Sequence, residues 1–512
     1  MVAGVDDRAT GRWLFVLALG VYVLTAGGSL TSTDAVAAFD VTRNIVEHGS
    51  VALSDEQLGT EALRGRDGRY YSPFGVAQSV FNIPFYVAGK AAASLTGLRL
   101  GKPDTVPKAA VALAQTLVGA TIVWQIFTLS TAVTGAVGPS LVAALTFAFG
   151  SVLWPYARFG FNQPLACVAL IGAVHAGWLA VRRSTPERFS LAALWLGVGL
   201  LTRHELGLAI LPMACWLWWS GSPSGDDRRR RLRAFVPMMA IGVGTWLAFN
   251  AIRFGNPLDS GHLRDTVPGF GSPILSGLAG LLFSPSASLF LYSPAALFGL
   301  GGLSFWLWRR DRATAGWLLS LVLLFVLFYA TLGNWIGGRS YGSRYLVIVL
   351  PFLAVGWAAL LATVPRRPGT ALAAVVLGVG IAVQLPGVLM DYAKVSQAAA
   401  TTRGGFSTVE RQWAWEAAPL VLNAQATIEA VPANVLYVTG LAPIPAIDAA
   451  ADADDRGFSQ QFAFSLDFWW LYLFYMGALS RVGLLTVVAA GLGFITFSGW
   501  ALVRSRRSAG SI

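Results

Sequence analysis

Few side chains in this sequence can do chemistry, and the stretch GGSLTSTDAVAAFDVTRNIVEHG, residues 27–49, holds two of them. Asp34 and Asp40 stand just past a long apolar run. A carboxylate there has two readings. It can cap the helix that begins at that point, by accepting from backbone N–H groups that lack partners. It can also stay unpartnered and point at the outer mouth of the bundle. Residues 35–48 fit an amphipathic helix, with Val36, Phe39 and Val46 at helical spacing. Such a helix lies on a membrane rather than crossing it. Asp40, Arg43 and Glu47 fall at i, i+3 and i+7 on it, so Asp40 has a partner on its own helix. Asp34 has none, and both of its readings stay open.

Cations form the second set. In NWIGGRSYGSRYL, Arg339 and Arg344 flank Tyr341 and follow a Gly-Gly pair. Glycine lets a backbone approach something closely. Positive charge at a helix start is electrostatically unfavourable, which points to an anionic partner. Two guanidinium groups suit phosphate. In LLTRHELGL, Arg203, His204 and Glu205 interrupt apolar sequence. A charge at such a place is expensive unless it is paired or functional. Glu205 can pair with Arg203 and His204 can hydrogen-bond, so the two readings balance. Tyr70 and Tyr71 in GRYYSPFG suit either an interfacial aromatic belt or stacking on a sugar or lipid. Arg253 in RFGNP is either a head-group anchor or a substrate contact.

Other chemistry is absent from the pattern. There is no P-loop, GxSxG, HExxH or CxxC. His48, His175, His204 and His262 do not form a ligand cluster in sequence. No cofactor is indicated, although carboxylates alone can hold a divalent metal, so that question stays open. The acidic stretch Ala446–Gly457 lacks the glycine and closing glutamate of a calcium loop and reads as a solvated loop. Cys167 and Cys215 both lie in apolar runs, which argues against a disulfide or a zinc site.

The elements that must position these groups are membrane helices. Only 12% of the 512 residues are charged, against about 25% in a soluble domain. Many apolar runs reach the roughly 20 residues needed to span a bilayer. The runs are continuous rather than alternating, so the fold class is an all-α polytopic membrane protein and not a barrel. The net charge of +11 does not signal nucleic acid. Its arginines cluster in short loops, as cytoplasmic loops require: Arg182-Arg183, Arg228 to Arg231, Arg309-Arg310, Arg366-Arg367 and the tail from Arg504. The first apolar run has no small-x-small cleavage site and reads as an uncleaved helix.

With the N-terminus inside, spans are expected at about 13–30, 78–97, 109–132, 234–252, 285–308, 313–332, 345–364, 370–389 and 482–503, with two short helices meeting at 203–205. The chain should return inside at Lys102 and Lys108. Residues 139–153, followed by WPYARFGFNQP, break the alternation and suggest a partial or re-entrant helix. About 12 or 13 crossings are expected at about 20 residues each. Residues 1–390 form one membrane module with an outer loop at 31–77; 391–481 form an outer segment, and 482–512 the last span and a basic tail. The mixed polar chemistry all falls on the outer side.

The ordered stretches RYYSPFGVAQSVFNIPFYVAG, LLTRHELGL, RFGNPLDSG, LLFSPSASLFLYSPAAL and WIGGRSYGSRYLVIVLPFL resemble bacterial members of the GT-C glycosyltransferase superfamily, near the protein-mannosyltransferase-like branch. The resemblance covers most of residues 10–390. It implies a bundle in the bacterial cytoplasmic membrane with its active face outside. It implies a polyprenyl-phosphate-linked sugar as donor, membrane lipid around it, and a glycan, lipid or protein acceptor. It implies an acidic residue early in the first outer loop as base, the place of Asp34, and inversion at the anomeric carbon. That family often has an Asp-Glu pair there; this chain has Asp34-Ala35, which leaves a second carboxylate role to Asp40. Arg203, His204, Arg339 and Arg344 are then the donor-phosphate candidates, and Tyr70, Tyr71, Arg253 and Tyr341 the substrate contacts. Two rival readings are a transporter or flippase, whose charges should lie near mid-membrane, and a non-catalytic lipid-phosphate binder.

Overall fold

The computed structural model describes residues 5–30, 32–54, 62–96, 104–183, 185–221, 224–262, 269–402, 406–445 and 465–509. The acidic stretch 446–457 and Lys102 lie outside the described residues.

The chain opens with α1 (Val5–Leu24) and α2 (Thr33–His48), then a two-residue hairpin pairing β1 (Leu63–Arg64) with β2 (Tyr70–Tyr71). Next come α3 (Ala77–Thr96), α4 (Thr105–Thr134), α5 (Val137–Phe149), α6 (Leu153–Tyr156), α7 (Asn162–Arg183), α8 (Pro186–Thr202) and α9 (Ile210–Trp219). The second half holds α10 (Gly225–Phe254), α11 (Ile274–Phe283), a broken run of α12 (Leu289–Tyr292), α13 (Ala295–Gly301) and α14 (Trp308–Arg310), then α15 (Arg312–Ala330), α16 (Leu350–Leu361) and α17 (Arg366–Leu389). Four further helices, α18 (Tyr392–Thr402), α19 (Thr408–Trp413), α20 (Pro419–Thr439) and α21 (Trp469–Tyr475), precede the last, α22 (Arg481–Ala509). Among the described residues, seven helices are long and apolar enough to cross a membrane.

Long-range contacts sort these helices into a bundle with two distinct ends. At one end Thr10 meets Ser505 at 3.4 Å, Arg310 donates to the carbonyl of Thr134 at 3.1 Å, and Arg182 pairs with Asp311. Arg231 donates to the carbonyls of Leu217 and Ser220 there. At the opposite end Arg158 pairs with Asp467, Asp34 with Arg344, and Trp469 donates to the carbonyl of Ala26. The described helices make twelve passes between the ends: α1, α4, α5, α7, α8, α9, α10, the α12–α14 run, α15, α16, α17 and α22.

One expected span is corrected. Residues 78–97 do not carry the chain back to the arginine-rich end. Gly119 of α4 packs on Tyr22 near the end of α1, and Gln115 meets Gln78 at 3.2 Å. The first ten residues of α4, about 15 Å of helix at 1.5 Å per residue, therefore project past α1. There they meet α2: Arg43 pairs with Asp104 at 2.8 Å, and the Lys108 ammonium lies over the Phe39 ring at 5.4 Å. Glu47 at the end of α2 pairs with Lys90 and accepts from Tyr86. The 20-residue α3 is long enough for a span but is not among the helices apolar enough to be one, and it sits with α2 beyond the bundle end. Removing it as a crossing restores the alternation that residues 139–153 broke. That stretch is the 13-residue α5, short of a full span but packed on α4, α16 and α17. The Arg228–Arg231 run is also helical, because Ser224 caps α10 and Asp226 and Asp227 occupy its first turn.

Candidate active site

Asp34 sits in the first turn of α2, and it is not the cap. Ser32 takes that role, its hydroxyl accepting from the Ala35 N–H at 3.1 Å. The Asp34 carboxylate is thus released from helix capping while remaining only 6% exposed. Its Oδ2 stands 3.6 Å from Nη1 of Arg344, an attraction slightly too long for a hydrogen bond. A cleft opens beside Asp34, lined also by Ser72, Gln78, Ser79, Asn162 and Arg253.

Arg344 begins a tight 3-10 turn, Arg344–Val349, that leads into α16. The glycines of NWIGGRSYG explain its placement. Gly337 has φ +76°, and a Cβ there would fall 2.8 Å from the Arg344 Nε. The loop therefore closes on the arginine's own side chain. Arg344 lies over the rings of Tyr345 at 5.0 Å and Phe161 at 5.2 Å. Its Nε is buried without a hydrogen-bond partner, as are the Ser343 hydroxyl and both amide atoms of Gln163. Buried polar groups normally find partners, so this corner has spare hydrogen-bonding capacity.

Arg203 completes the group from the junction of α8 and α9. It pairs with Glu205 and donates to the Asn162 Oδ1 at 2.6 Å. Glu205 also accepts from the Tyr329 hydroxyl at 2.9 Å. Tyr345 links the two arginines: Arg203 lies 5.8 Å from its ring, and Tyr329 stacks on it at 4.9 Å. Asp34, Arg344 and Arg203, far apart in sequence, thus belong to one largely buried cluster at one end of the bundle.

Most of the remaining candidates are held by partners of their own. Asp40 is buried, paired with Arg43 and accepting at 2.8 Å from both the N–H and the hydroxyl of Ser54. His204 uses both ring nitrogens, one facing the Pro73 carbonyl at 3.0 Å and the other accepting from the Trp246 indole at 2.7 Å. Arg253 is buried over Phe249 and donates to the Ser72 carbonyl and to Asn250, so it fastens the 72–74 loop at the cleft wall. Tyr71 donates to Asp67 at 2.9 Å, and half-buried Tyr70 accepts at its carbonyl from the Leu53 N–H. Tyr341 is buried, its hydroxyl donating to the Val383 carbonyl. Arg339 stands apart from the cluster, donating to Gln397 at 2.9 Å on the exposed surface.

Sequence reasoning missed Asn162, Tyr329 and Tyr345 as site neighbours. It also missed that His204 and His262 come together, with ring centroids 5.1 Å apart. Among the described residues, no three His, Cys, Asp or Glu side chains gather as a metal site.

Residues 104–249 match the model of the dolichyl-phosphate-mannose-protein mannosyltransferase family. The chain is similar, over that region, to membrane glycosyltransferases. The matched region includes Asn162, Arg203, His204 and Glu205, and leaves Asp34 and Arg344 outside it. Among solved structures, the chain aligns with ArnT from Cupriavidus metallidurans bound to undecaprenyl phosphate, at 14% identity and a TM-score of 0.49, over 100% of this chain and 79% of that one. No curated protein matches.

Proposed function

We propose that this protein is a membrane glycosyltransferase that moves a sugar from a polyprenyl-phosphate carrier to an acceptor hydroxyl on a glycan, lipid or protein. The observation that carries the reading is the buried Asp34 carboxylate 3.6 Å from Arg344, with Arg203 in the same cluster. Displacing a phosphate from a sugar needs a base on one side and cations on the other. Asp34 takes the proton of the acceptor hydroxyl. The acceptor oxygen bonds to the anomeric carbon from the face opposite the phosphate. The bond from that carbon to the phosphate oxygen breaks, the electron pair leaves with the phosphate, and the configuration inverts. Arg344 is the leading phosphate cation, because among the described residues its ion-pair partner is the loosely held Asp34. Arg203, already matched by Glu205, supports it from behind. His204 and Arg339 drop out of this assignment, since the first is fully hydrogen-bonded and the second lies outside the cluster.

The arginine-rich end is assigned to the cytoplasm, which puts the reacting end at the outer face of a bacterial cytoplasmic membrane. A transporter would need its charges at mid-bundle, whereas these groups lie where helices end. The test compares wild type with Asp34→Asn in purified protein given radiolabelled polyprenyl-phosphate sugars. The wild type should release sugar from lipid, and the variant should bind donor yet turn it over about 10²- to 10⁴-fold more slowly. Equal rates would remove Asp34 as the base.

A further inference from the structure

The segment WPYARFGFNQP runs through every part of the candidate site. Gly160 packs on the first turn of α2, where a Cβ would fall 2.9 Å from that of Ala35. Phe161 lies under Arg344, and Asn162 holds Arg203. Two residues before Gly160 stands Arg158, whose partner comes from 309 positions later in the chain. Its Nη2 donates to the Asp467 carboxylate at 2.8 Å and to the Asp467 carbonyl at 2.6 Å, and its Nη1 reaches the Gly387 carbonyl at 3.3 Å. Both side chains of the pair are 0% exposed. The carboxylate also accepts from the Tyr472 hydroxyl at 2.9 Å.

The same pair reaches the other approach to Asp34. Gly27 packs directly on the Asp467 carboxylate, leaving no room for a Cβ. Next to it, the Trp469 N–H and the indoles of Trp469 and Trp470 donate to the carbonyls of Ala26, Val23 and Leu24. Gly27 is thus held by Asp467, and Ala35, next to Asp34, by Gly160.

We propose that Arg158 and Asp467 are positioning residues, whose buried pair fixes residues 157–162 and 27–35 relative to each other and so sets Asp34 against Arg344. A buried ion pair is weak as a source of stability, because desolvation offsets the attraction, whereas it does enforce one arrangement. Neither residue touches the reacting atoms. The inference rests on the proposed transferase reading for its kinetic consequence, but not for its structural one.

The test uses Asp467→Asn and the charge-conserving Arg158→Lys in full-length protein. Donor turnover and hydrogen exchange of backbone amides are measured together. Asp467→Asn should lower kcat by roughly 10- to 100-fold, as a small misplacement of a reacting group does, with KM for the donor within about 2-fold. Exchange should quicken in peptides covering 24–36 and 156–162 and stay unchanged in 312–330. Arg158→Lys should show the same pattern more weakly, and it serves alone if Asp467→Asn does not fold. Unchanged kcat, or exchange raised equally in all three regions, overturns the proposal. If even the wild type consumes no donor, the transferase reading fails, and the exchange pattern alone decides whether the pair holds these segments.

Discussion

At the arginine-rich end, Arg182 is 48% exposed and rests against Asp311, and the exposed Arg310 donates to the carbonyl of Thr134. At the opposite end Arg344 is 15% exposed and Arg203 12%, each boxed in by aromatic rings. The same side chain therefore has two uses in one bundle. Solvated guanidinium groups fix orientation and lose little by it. Desolvated ones are costly and need partners: Arg231 and Arg253 find carbonyls and an amide, Arg158 finds a carboxylate, and Arg344 stands loosely against Asp34 at 3.6 Å. Burial together with a loosely engaged guanidinium, and not burial alone, marks Arg344.

The largest effect expected from this contrast is on turnover. Arg344→Ala should reduce donor turnover about 10²- to 10³-fold, the usual loss when one preorganised group facing a developing charge is removed. Arg310→Ala should stay within about 2-fold, since a carbonyl contact at the far end touches nothing that reacts. Release of labelled sugar measures both. A comparable loss in the two variants would break the comparison.

Asp40 sharpens it within a single helix. Asp40→Asn weakens the contacts to Arg43 and Ser54 and should destabilise by about 2 kcal/mol, the range for hydrogen bonds to charged groups. Asp34→Asn should leave melting nearly unchanged while turnover falls. Melting curves and per-folded-molecule rates together read the split. If Asp40→Asn retains its melting temperature and loses turnover, the two carboxylates have been assigned the wrong way round.

Gly337→Ala tests the support of Arg344. The position has φ +76° and its Cβ would press on the arginine's Nε. Strain of this kind is worth about 1–3 kcal/mol, and displacing Arg344 should lower turnover about 10-fold. A variant that melts lower but turns over normally would show that the loop shapes stability only.

The charges of the cluster were legible in the sequence because charge is scarce there: Asp34, Arg203 and Arg344 each interrupt or border apolar runs. Their grouping followed from sorting polar residues by side. The role of WPYARFGFNQP was not legible, since the partner of Arg158 lies in a segment that nothing local connects to it. Nor was the placement of α3. Its length suits a membrane span, and its contacts, Lys90 with Glu47 and Gln78 with Gln115 among them, reveal that it stays at one end. Hydropathy reports which segments are apolar, not which neighbours they pack against. The two readings of His204 stayed in balance because its partners, Pro73 and Trp246, come from separate elements.

The smallest effect belongs to an exposed ion pair at the Asp34 end of the bundle, where exposure should keep it out of the chemistry. Asp67 accepts from the Arg69 guanidinium and the Tyr71 hydroxyl, and these hydrogen bonds, Arg69 first, pull its pKa from 3.8 to about 2. A depressed carboxylate contributes stability above its ordinary value and loses it as pH falls through the folded one. Wild type should therefore resist pepsin cleavage within residues 62–72 better than Asp67→Asn at pH 4, with the difference shrinking toward pH 2. Because the pair is solvated, turnover at neutral pH should change by less than about 2-fold. A larger loss would mean that this hairpin reaches the substrate, and that exposure alone does not mark the residues outside the chemistry.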